Sequence, residues 1–203
     1  ERGSIVSNNT EILSNISGKR DYIYSDESRY FIDKKKEEVK GINYKEFNFN
    51  KSPLEQGFKE HSIDIIVADN TLHRGKNIEK SLSYLKTLIA PGGFVIITEI
   101  IENSPLILNT VGFFEDGFSD LQDERKEKCL PLINKEKWMG ILNKVGFENV
   151  CTCKKLEELN ECILIAQAPR KVKNFEEELM IEALKTKLPD YMIPSTYKVI
   201  EDM

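Results

Sequence analysis

His73 and Glu99 are the two residues whose types and spacing are best suited to acid–base chemistry. His73 follows an apolar run at residues 63–68, and Glu99 lies within a second apolar run at residues 94–101. Continuous runs of this kind are typical of strands covered on both faces of a parallel sheet. Parallel neighbours bring their carboxyl ends to one edge, where open α/β folds place their sites. The spacing therefore predicts that an imidazole base and an orienting carboxylate meet at that edge.

Strand and helix patterns alternate in the elements that must position this pair. Strands are predicted at residues 22–24, 42–49, 63–68, 94–101, 147–152 and 161–167, and helices at residues 28–39, 52–56, 78–89 and 134–145. Pro91-Gly92-Gly93 is expected to end the third helix, and the last two strands are expected to form an antiparallel pair. This order predicts an α/β fold with a mostly parallel sheet, an antiparallel last strand and helices on both faces.

The character of the chain changes after Ala168-Pro169. A polar linker leads into an amphipathic helix that begins at Asn174, and Pro189 and Pro194 then favour an extended, rigid segment. We place a boundary near residue 169, between a first domain at residues 1–168 and a short fragment at residues 169–203.

Composition excludes several classes of partner and site. The 29 Lys and Arg against 34 Asp and Glu give a net charge of −5, so no basic excess is present to neutralise nucleic acid. No apolar run is long enough to cross a bilayer, and no signal peptide is visible. The four cysteines fit no zinc motif and are expected to be reduced thiols in the cytoplasm. We therefore expect no metal site, no nucleic acid and no membrane.

An ordered series of short motifs runs through residues 1–168. The motifs are Tyr22-Ile-Tyr-Ser-Asp26-Glu-Ser28, Pro53-Leu-Glu-Gln-Gly-Phe58, Asp64-Ile-Ile-Val-Ala68, Asn70-Thr-Leu-His73, Ala90-Pro-Gly-Gly93, Glu99, Gly112-Phe-Phe-Glu115, Asp123-Glu-Arg125, Pro131-Leu132, Trp138 and Gly146-Phe147. In this order they resemble the class I methyltransferase domains built into polyketide and nonribosomal peptide synthetases. Residues 188–194 are similar to a core motif of the C-terminal subdomain of amino-acid adenylation domains. The resemblance implies a Rossmann-like methyltransferase sheet, with its first strand missing, followed by a fragment of an adenylation domain.

The resemblance also implies roles for individual residues. Asp26 matches the carboxylate that binds the ribose hydroxyls of S-adenosylmethionine, a charge-assisted contact. Asn48 stands where the family usually has an aspartate that meets the adenine amine, and Asn70 matches a further cofactor-binding position. His73 matches the base of carbon-methylating members, and Glu99 matches the carboxylate behind it. Such a pair can remove a proton from an acidic carbon between carbonyl groups.

The loop expected to bind the cofactor departs from the family. Glu1 and Gly3 fit an acidic residue followed by closely spaced glycines, but Ile5, Ser7 and Asn8 stand where further glycines belong. Glycine permits positive φ and close approach to a ligand, and a β-branched residue is the least suitable replacement. We therefore expect a crowded, weakened site for S-adenosylmethionine.

Three interpretations follow. In the first, the site keeps its proton-transfer pair without a methyl donor and acts like the epimerase domains inserted in adenylation domains of pyochelin-type synthetases. The substrate would then be an aminoacyl or thiazoline thioester on the phosphopantetheine of a carrier protein, beside an adjoining adenylation domain. In the second, the domain is an ordinary S-adenosylmethionine-dependent C-methyltransferase with a divergent loop. In the third, it is a non-catalytic insertion that scaffolds its neighbours.

Overall fold

The computed structural model describes residues 21–106, 108–109, 119–153, 160–170, 181, 184–185, 189 and 192. The chain divides into two units, Glu1–Arg170 and Lys171–Met203. The fold presented here is that of the first unit. Within the described residues, no helix combines the length and the apolar character needed to span a membrane.

Strands and helices alternate along the described part of the first unit. The strands are β1 (Ile23–Asp26), β2 (Asn43–Glu46), β3 (Ile63–Asp69), β4 (Ile89–Ile100), β5 (Glu148–Cys153) and β6 (Glu161–Gln167). The α-helices are α1 (Arg29–Glu38), α2 (Ile78–Leu88), α3 (Arg125–Lys128) and α4 (Lys135–Val145), and a 3-10 turn covers Leu72–Arg74. Asn77 and Asn134 cap α2 and α4 with their side-chain oxygens, each of which accepts a backbone N–H.

The described strands form two hydrogen-bonded sheets. β1 and β2 pair in parallel, and the other four strands follow the order β3-β4-β6-β5. β3 and β4 are parallel, whereas β6 runs antiparallel to both β4 and β5. This confirms the Rossmann-like fold class and the antiparallel final pair. No ladder joins β1 to β3 among these strands, and the prediction that a first strand is missing stays a prediction.

One face of the larger sheet builds the core. Alternate residues of a strand share a face, so Val95, Ile97 and Glu99 all point to the same side of β4, and all three are fully buried. The core on this side also contains Leu82 and Leu85 of α2 and Trp138 and Leu142 of α4. Glu99 thus lies at the end of a row of apolar core residues. On the opposite face, Ile65 and Phe94 remain 55% and 39% exposed.

The segment after Pro53 forms consecutive turns where the sequence predicted a short helix. The N–H groups of Gln56 and Gly57 donate to carbonyls three residues earlier, and Gly57 has a φ of +74°. A left-handed residue stops a right-handed helix from continuing. The side chain of Gln56 also accepts from the N–H of Asn48 and donates to its carbonyl, which fastens the turns to the end of β2.

The boundary between α2 and β4 also differs from the prediction. The helix ends at Leu88 and the strand begins at Ile89, before the Pro-Gly-Gly sequence that was expected to end the helix. Gly92 has a φ of +77°, and an added Cβ on Gly93 would lie 2.5 Å from the carbonyl oxygen of Asp64. The glycines therefore serve the close approach of β4 to β3, where the register shifts between Ile63 and Ile65.

Candidate active site

The structure brings His73 and Glu99 into direct contact. Nδ1 of His73 lies 2.8 Å from Oε2 of Glu99. The glutamate side chain is fully buried, and the imidazole is 14% exposed. One side chain comes from the 3-10 turn after β3 and the other from the end of the parallel strand β4. This is the juxtaposition that the sequence predicts for the carboxyl edge of the sheet.

The other oxygen of Glu99 holds the backbone that carries the imidazole. Oε1 accepts the N–H groups of Thr71, Leu72 and His73 at 3.1, 2.7 and 3.2 Å. The first N–H groups of a helix lack partners within the helix. Here a remote carboxylate supplies those partners, so the turn and its histidine are fixed by the same group.

These contacts define the tautomer of His73. Glu99 is a carboxylate with three backbone N–H donors on Oε1, so its Oε2 acts as the hydrogen-bond acceptor for the imidazole. Nδ1 of His73 therefore carries the proton of the neutral ring. Nε2 is then left with the lone pair that a general base needs. The carboxylate also stabilises the imidazolium that forms when Nε2 takes up a proton.

A buried arginine binds the other side of the same turn. Arg125 is 1% exposed, and its guanidinium donates to the carbonyls of His73, Gly75 and Pro131. It also forms a two-pronged ion pair with Asp123, in which Nε and Nη2 each lie 2.8 Å from a carboxylate oxygen. Paired bonds of this type combine charge with fixed geometry.

Asp123 joins the arginine to helix α2. Its Oδ2 accepts the N–H of Ile78, the first residue of that helix. Burial raises the pKa of Asp123, but the hydrogen bonds and the charge of Arg125 outweigh burial, so the pKa lies below its ordinary value of 3.8. The carboxylate is therefore charged at neutral pH. Asp123-Glu-Arg125 is among the motifs of the resemblance, but neither Asp123 nor Arg125 is assigned a role there, because nothing in the sequence shows which backbone groups they bind.

A cleft lies between the carboxyl ends of β1 and β3. Its lining includes Asp26 at the end of β1, together with Phe47, Phe49, Ala68 and Thr71. Asp26 is 4% exposed, and its Oδ1 accepts the N–H of Ser28 at 2.7 Å. Ser28 precedes α1 without a capping bond from its own side chain. The cleft thus combines one buried carboxylate with aromatic and aliphatic walls.

The cleft and the imidazole share one structural element. Thr71 and Leu72 line the cleft, and their N–H groups bind Glu99. His73 is the next residue of the same turn. A molecule held in the cleft would therefore lie beside the turn that bears the candidate base.

Asn48 lies beyond β2 and is engaged within the protein. Its side-chain nitrogen donates to the carboxylate of Glu27, and its oxygen accepts the N–H of Asn50 at 2.8 Å. Glu27 lines the cleft, so Asn48 reaches the cleft through this partner. Phe47 and Phe49, its two chain neighbours, line the cleft themselves. Sequence reasoning missed both aromatics, although their alternation around Asn48 is the pattern of a strand face.

Asn70, Glu1 and Gly3 are the remaining residues predicted to bind the cofactor, and Asn70 is not among the described residues that line the cleft. Asn70 has a φ of +44°, and its N–H donates to the carbonyl of Thr98 at 2.7 Å, which turns the chain out of β3. Glu1 and Gly3 lie outside the described residues. The cofactor role of all three stays a prediction.

Metal chemistry gains no support from the described residues. They contain no group of three or more His, Cys, Asp or Glu side chains that could hold a metal ion. Cys129, Cys151 and Cys153 are exposed and Cys162 is buried, and none of the four is part of a disulfide among the described residues.

Comparisons with known proteins agree with this fold. A family model described as a methyltransferase domain matches residues 15–146. The chain is 32% identical over 138 residues to lovastatin nonaketide synthase mokA from Monascus pilosus, which covers 66% of the chain and 4% of that synthase. It is 35% identical over 143 residues to the hybrid PKS-NRPS synthetase iccA of Talaromyces variabilis, covering 67% of the chain and 4% of the synthetase. The chain thus spans a small part of the length of these curated relatives.

Solved structures give the same result. The CurJ carbon methyltransferase is 28% identical, with a TM-score of 0.74, and the match covers 83% of this chain and 47% of that one. The trans-methyltransferase CalH, solved in complex with SAH, is 24% identical, with a TM-score of 0.68, and the match covers 82% and 50% of the two chains. The second likeness concerns the fold alone. Because the family model spans well over half of the chain, the protein belongs to the class I methyltransferase domains and is similar to the C-methyltransferase domains of polyketide synthases.

Proposed function

We propose that the chain is an S-adenosylmethionine-dependent carbon methyltransferase domain of a multidomain synthase. The observation that carries the proposal is the 3-10 turn at Leu72–Arg74, which adjoins the Asp26 cleft and presents His73 backed by Glu99. A methyl donor and a base have to act on one carbon, so their sites must be adjacent. This turn provides that adjacency.

The cleft has the chemistry that the methyl donor needs. Asp26 supplies a buried carboxylate for a pair of ribose hydroxyls, and Phe47, Phe49 and Ile66 supply an apolar wall for a purine. Glu27, held by Asn48, adds an acceptor at the rim. These residues fit S-adenosylmethionine, and CalH, which shares the fold, was solved with SAH. When bound, S-adenosylmethionine supplies an electrophilic methyl group on a sulfonium.

His73 acts as the base for the acceptor carbon. Nε2 takes a proton from a carbon that lies between two carbonyl groups, and the positive charge that forms on the imidazole is stabilised by Glu99. Since Nδ1 is already bonded to the carboxylate, the ring needs no reorientation for this step. The carbanion that remains is the nucleophile for methylation.

The acceptor is proposed to be an acyl thioester on the phosphopantetheine of a carrier protein. The support is that the relatives are parts of large synthases, one of which is a hybrid PKS-NRPS synthetase. An adjoining adenylation domain, of which residues 169–203 would be a fragment, and a cytoplasmic location belong to the same proposal.

Proton transfer without methylation is the alternative that the sequence put first. It rests on Ile5, Ser7 and Asn8, which lie outside the described residues, and the His73–Glu99 pair is common to both reactions. The similarity to carbon methyltransferases supports methyl transfer. The two reactions, and a scaffold without activity, are separated by experiment.

The test uses the whole chain, S-adenosylmethionine and a 3-oxoacyl thioester of N-acetylcysteamine. We expect donor binding in calorimetry and a mass gain on the acceptor of one CH2 unit, since a methyl group replaces the abstracted hydrogen. His73→Ala should lower the methylation rate by about 10²–10⁴-fold and leave donor affinity unchanged, because Asp26 lines the cleft from the end of β1 whereas His73 is not among the described residues that line it. His61→Asn is the matched control, since it removes the other histidine at a φ of +51° that asparagine tolerates.

Each outcome selects one interpretation. Absent donor binding together with His73-dependent deuterium exchange at the α-carbon would replace the methyltransferase with an epimerase-like activity. Exchange and methylation that persist unchanged in His73→Ala would remove the imidazole from the mechanism. Inactivity of the wild type in both reactions, despite an intact fold, would favour the scaffold.

A further inference from the structure

The backbone of residues 71–75 is held between an anion and a cation. Glu99 accepts the N–H groups of Thr71, Leu72 and His73, and Arg125 donates to the carbonyls of His73 and Gly75. The N–H and the C=O of His73 are therefore each bound to a charged side chain. The polarity matches on both sides, because N–H groups meet a carboxylate and carbonyls meet a guanidinium.

The hydrogen-bonding capacity of Arg125 is fully used. A guanidinium has five N–H donors in a rigid plane. Nε donates to Asp123, Nη1 to the carbonyls of His73 and Pro131, and Nη2 to the carbonyl of Gly75 and to Asp123. A buried cation with every donor occupied has one low-energy orientation, so it transmits its position to each carbonyl that it binds.

Asp123 prevents the guanidinium from adjusting to a displaced turn. Its carboxylate binds Nε and Nη2 along one edge of the guanidinium and also accepts the N–H of Ile78 at the start of α2. Helix α2 is packed into the core through Ile78, Leu82 and Leu85. The chain of contacts therefore runs from a rigid helix, through Asp123 and Arg125, to the carbonyl of His73.

We propose that Arg125 is a positioning residue that sets the orientation and tautomer of the His73 imidazole through the His73 carbonyl. It does so from the side opposite Glu99, so that the Nδ1–Oε2 contact is held by two anchors. The consequence for methylation rests on the function proposed above. The effect on the imidazole itself does not.

Lysine cannot reproduce this arrangement. An ammonium keeps the charge that pairs with Asp123, but it offers three donors from one point and cannot span Asp123, His73 and Gly75 together. Arg125→Lys therefore tests geometry at constant charge. Asn103→Ala is the matched control, because Asn103 binds the backbone of Leu132 through both amide atoms, whereas Arg125 binds the carbonyls of His73 and Gly75.

The first readout is the ¹⁵N–¹H spectrum of the imidazoles, which does not require activity. The chain has two histidines, so His73→Ala identifies the signals of His73. In the wild type and in Asn103→Ala we expect one dominant tautomer with a protected Nδ1 proton. In Arg125→Lys we expect that proton to exchange at least about tenfold faster and the tautomer signals to average.

The second readout is kinetic. Arg125→Lys should lower kcat by about 10–100-fold while KM for S-adenosylmethionine changes by less than about twofold. Arg125 binds the carbonyls of His73 and Gly75, whereas the cleft-lining residues Thr71 and Leu72 are held through their N–H groups by Glu99. Loss of activity in both Arg125→Lys and Asn103→Ala to the same degree would indicate a general loosening and would overturn the proposal.

A measurement on the wild type covers the case in which Arg125→Lys does not fold. Rotation about the bonds of a fixed guanidinium is slow, so four separate Nη proton signals are expected for Arg125. A single averaged signal would show that the contact with His73 does not persist. An unchanged His73 spectrum in folded Arg125→Lys would likewise refute the positioning role. If the His73 spectrum changes in Arg125→Lys but the wild type does not methylate the acceptor, only the proposed function is refuted.

Discussion

Glu99 is the residue on which both the turn and the imidazole depend. Its Oε1 binds three backbone N–H groups and its Oε2 binds the ring, so one side chain completes the start of a helical turn and fixes a tautomer. A fully buried carboxylate is costly unless donors surround it. The His73–Glu99 contact and the local fold are therefore stabilised by the same side chain.

The ion pair of Asp123 and Arg125 predicts an acid limit to stability. The folded-state pKa of Asp123 is lowered, so its contribution is present above the ordinary value of 3.8 and is lost as the pH falls through the lower folded value. Asp123→Asn should lower the free energy of unfolding by about 2–3 kcal/mol at neutral pH, because Arg125 is left buried without its charged partner. In urea titrations the two proteins should converge in stability as the pH falls below about 4.

Asp120→Asn is the control for this titration. Asp120 pairs with Lys76 at 2.9 Å, but both side chains are largely exposed, and such pairs contribute little. We expect its stability to follow the wild type within about 0.5 kcal/mol. A constant gap between wild type and Asp123→Asn down to about pH 2 would contradict the lowered pKa.

At this scale the sequence predicted the His73–Glu99 contact and no more of its surroundings. The contact follows from two continuous apolar runs, which predict buried strands, and from the rule that parallel neighbours end at one edge of the sheet. Arg125 lies 52 positions from His73 along the chain, so their contact depends on tertiary packing that the sequence does not display. The engagement of Asn48 with Glu27 and Asn50 was also not foreseeable, because amide partners are chosen by the fold.

Among the elements, the junction of α2 and β4 depends most on a single residue. A Cβ on Gly93 would meet the carbonyl oxygen of Asp64 at 2.5 Å and the Cγ2 of Ile89 at 2.8 Å. Backbone cannot move aside as a flexible side chain can, so Gly93→Ala should destabilise the protein by about 1–3 kcal/mol. Chemical denaturation monitored by Trp138 fluorescence measures this loss.

Gly140→Ala provides the opposite expectation in the same assay. Gly140 lies within α4, and a Cβ there would meet nothing within 4 Å. Alanine is a better helix former than glycine, so this variant should gain about 0.5–1 kcal/mol. If Gly93→Ala and Gly140→Ala change the free energy of unfolding equally, the close approach of β4 to Asp64 is not the reason for glycine at position 93.

Most elements were predictable because their signals are local. The buried strands β3 and β4, the helix α4 with its Asn134 cap, and the antiparallel β5–β6 pair follow from apolar runs, capping residues and a short connection. The turns after Pro53 were not predictable from local signals. The side chain of Gln56 forms hydrogen bonds with the N–H and the carbonyl of Asn48, eight residues away, and these bonds stabilise the turns in place of a helix. Boundaries at Leu88 and Ile89 were set by the pairing of β4 with β3, which the sequence does not display.

On the scale of the whole molecule, the two sheets should differ in local stability. The main core joins β3, β4 and β6 to α2 and α4, whereas Tyr24 and Ile32 are buried outside that core. Segments that share few core contacts open at lower free energy. In hydrogen exchange we expect the amides of β1 and β2 to exchange at least about tenfold faster than those of β4 and β6 in the ligand-free protein. Uniform protection across both sheets would contradict this.

The overall architecture was predictable to the level of fold class. Alternating strand and helix patterns indicate a Rossmann-like sheet, and the order β3-β4-β6-β5 agrees with it. The separation of β1 and β2 from the other strands was not predicted from periodicity, since pairing between strands is a long-range property. The assignment to a synthase rests on relatives of which the chain spans 4%.

The separation of the two sheets has a consequence for the affinity of the cleft. Asp26 ends a strand of one sheet, while Thr71 follows a strand of the other, and no ladder among the described strands sets the distance between them. A ligand that contacts both Asp26 and Thr71 would link the two sheets, and part of its binding free energy would offset the cost of fixing their relative positions. Substitutions that loosen α1 from β1 and β2 would then weaken the ligand from a distance, and partners that clamp those strands would tighten it.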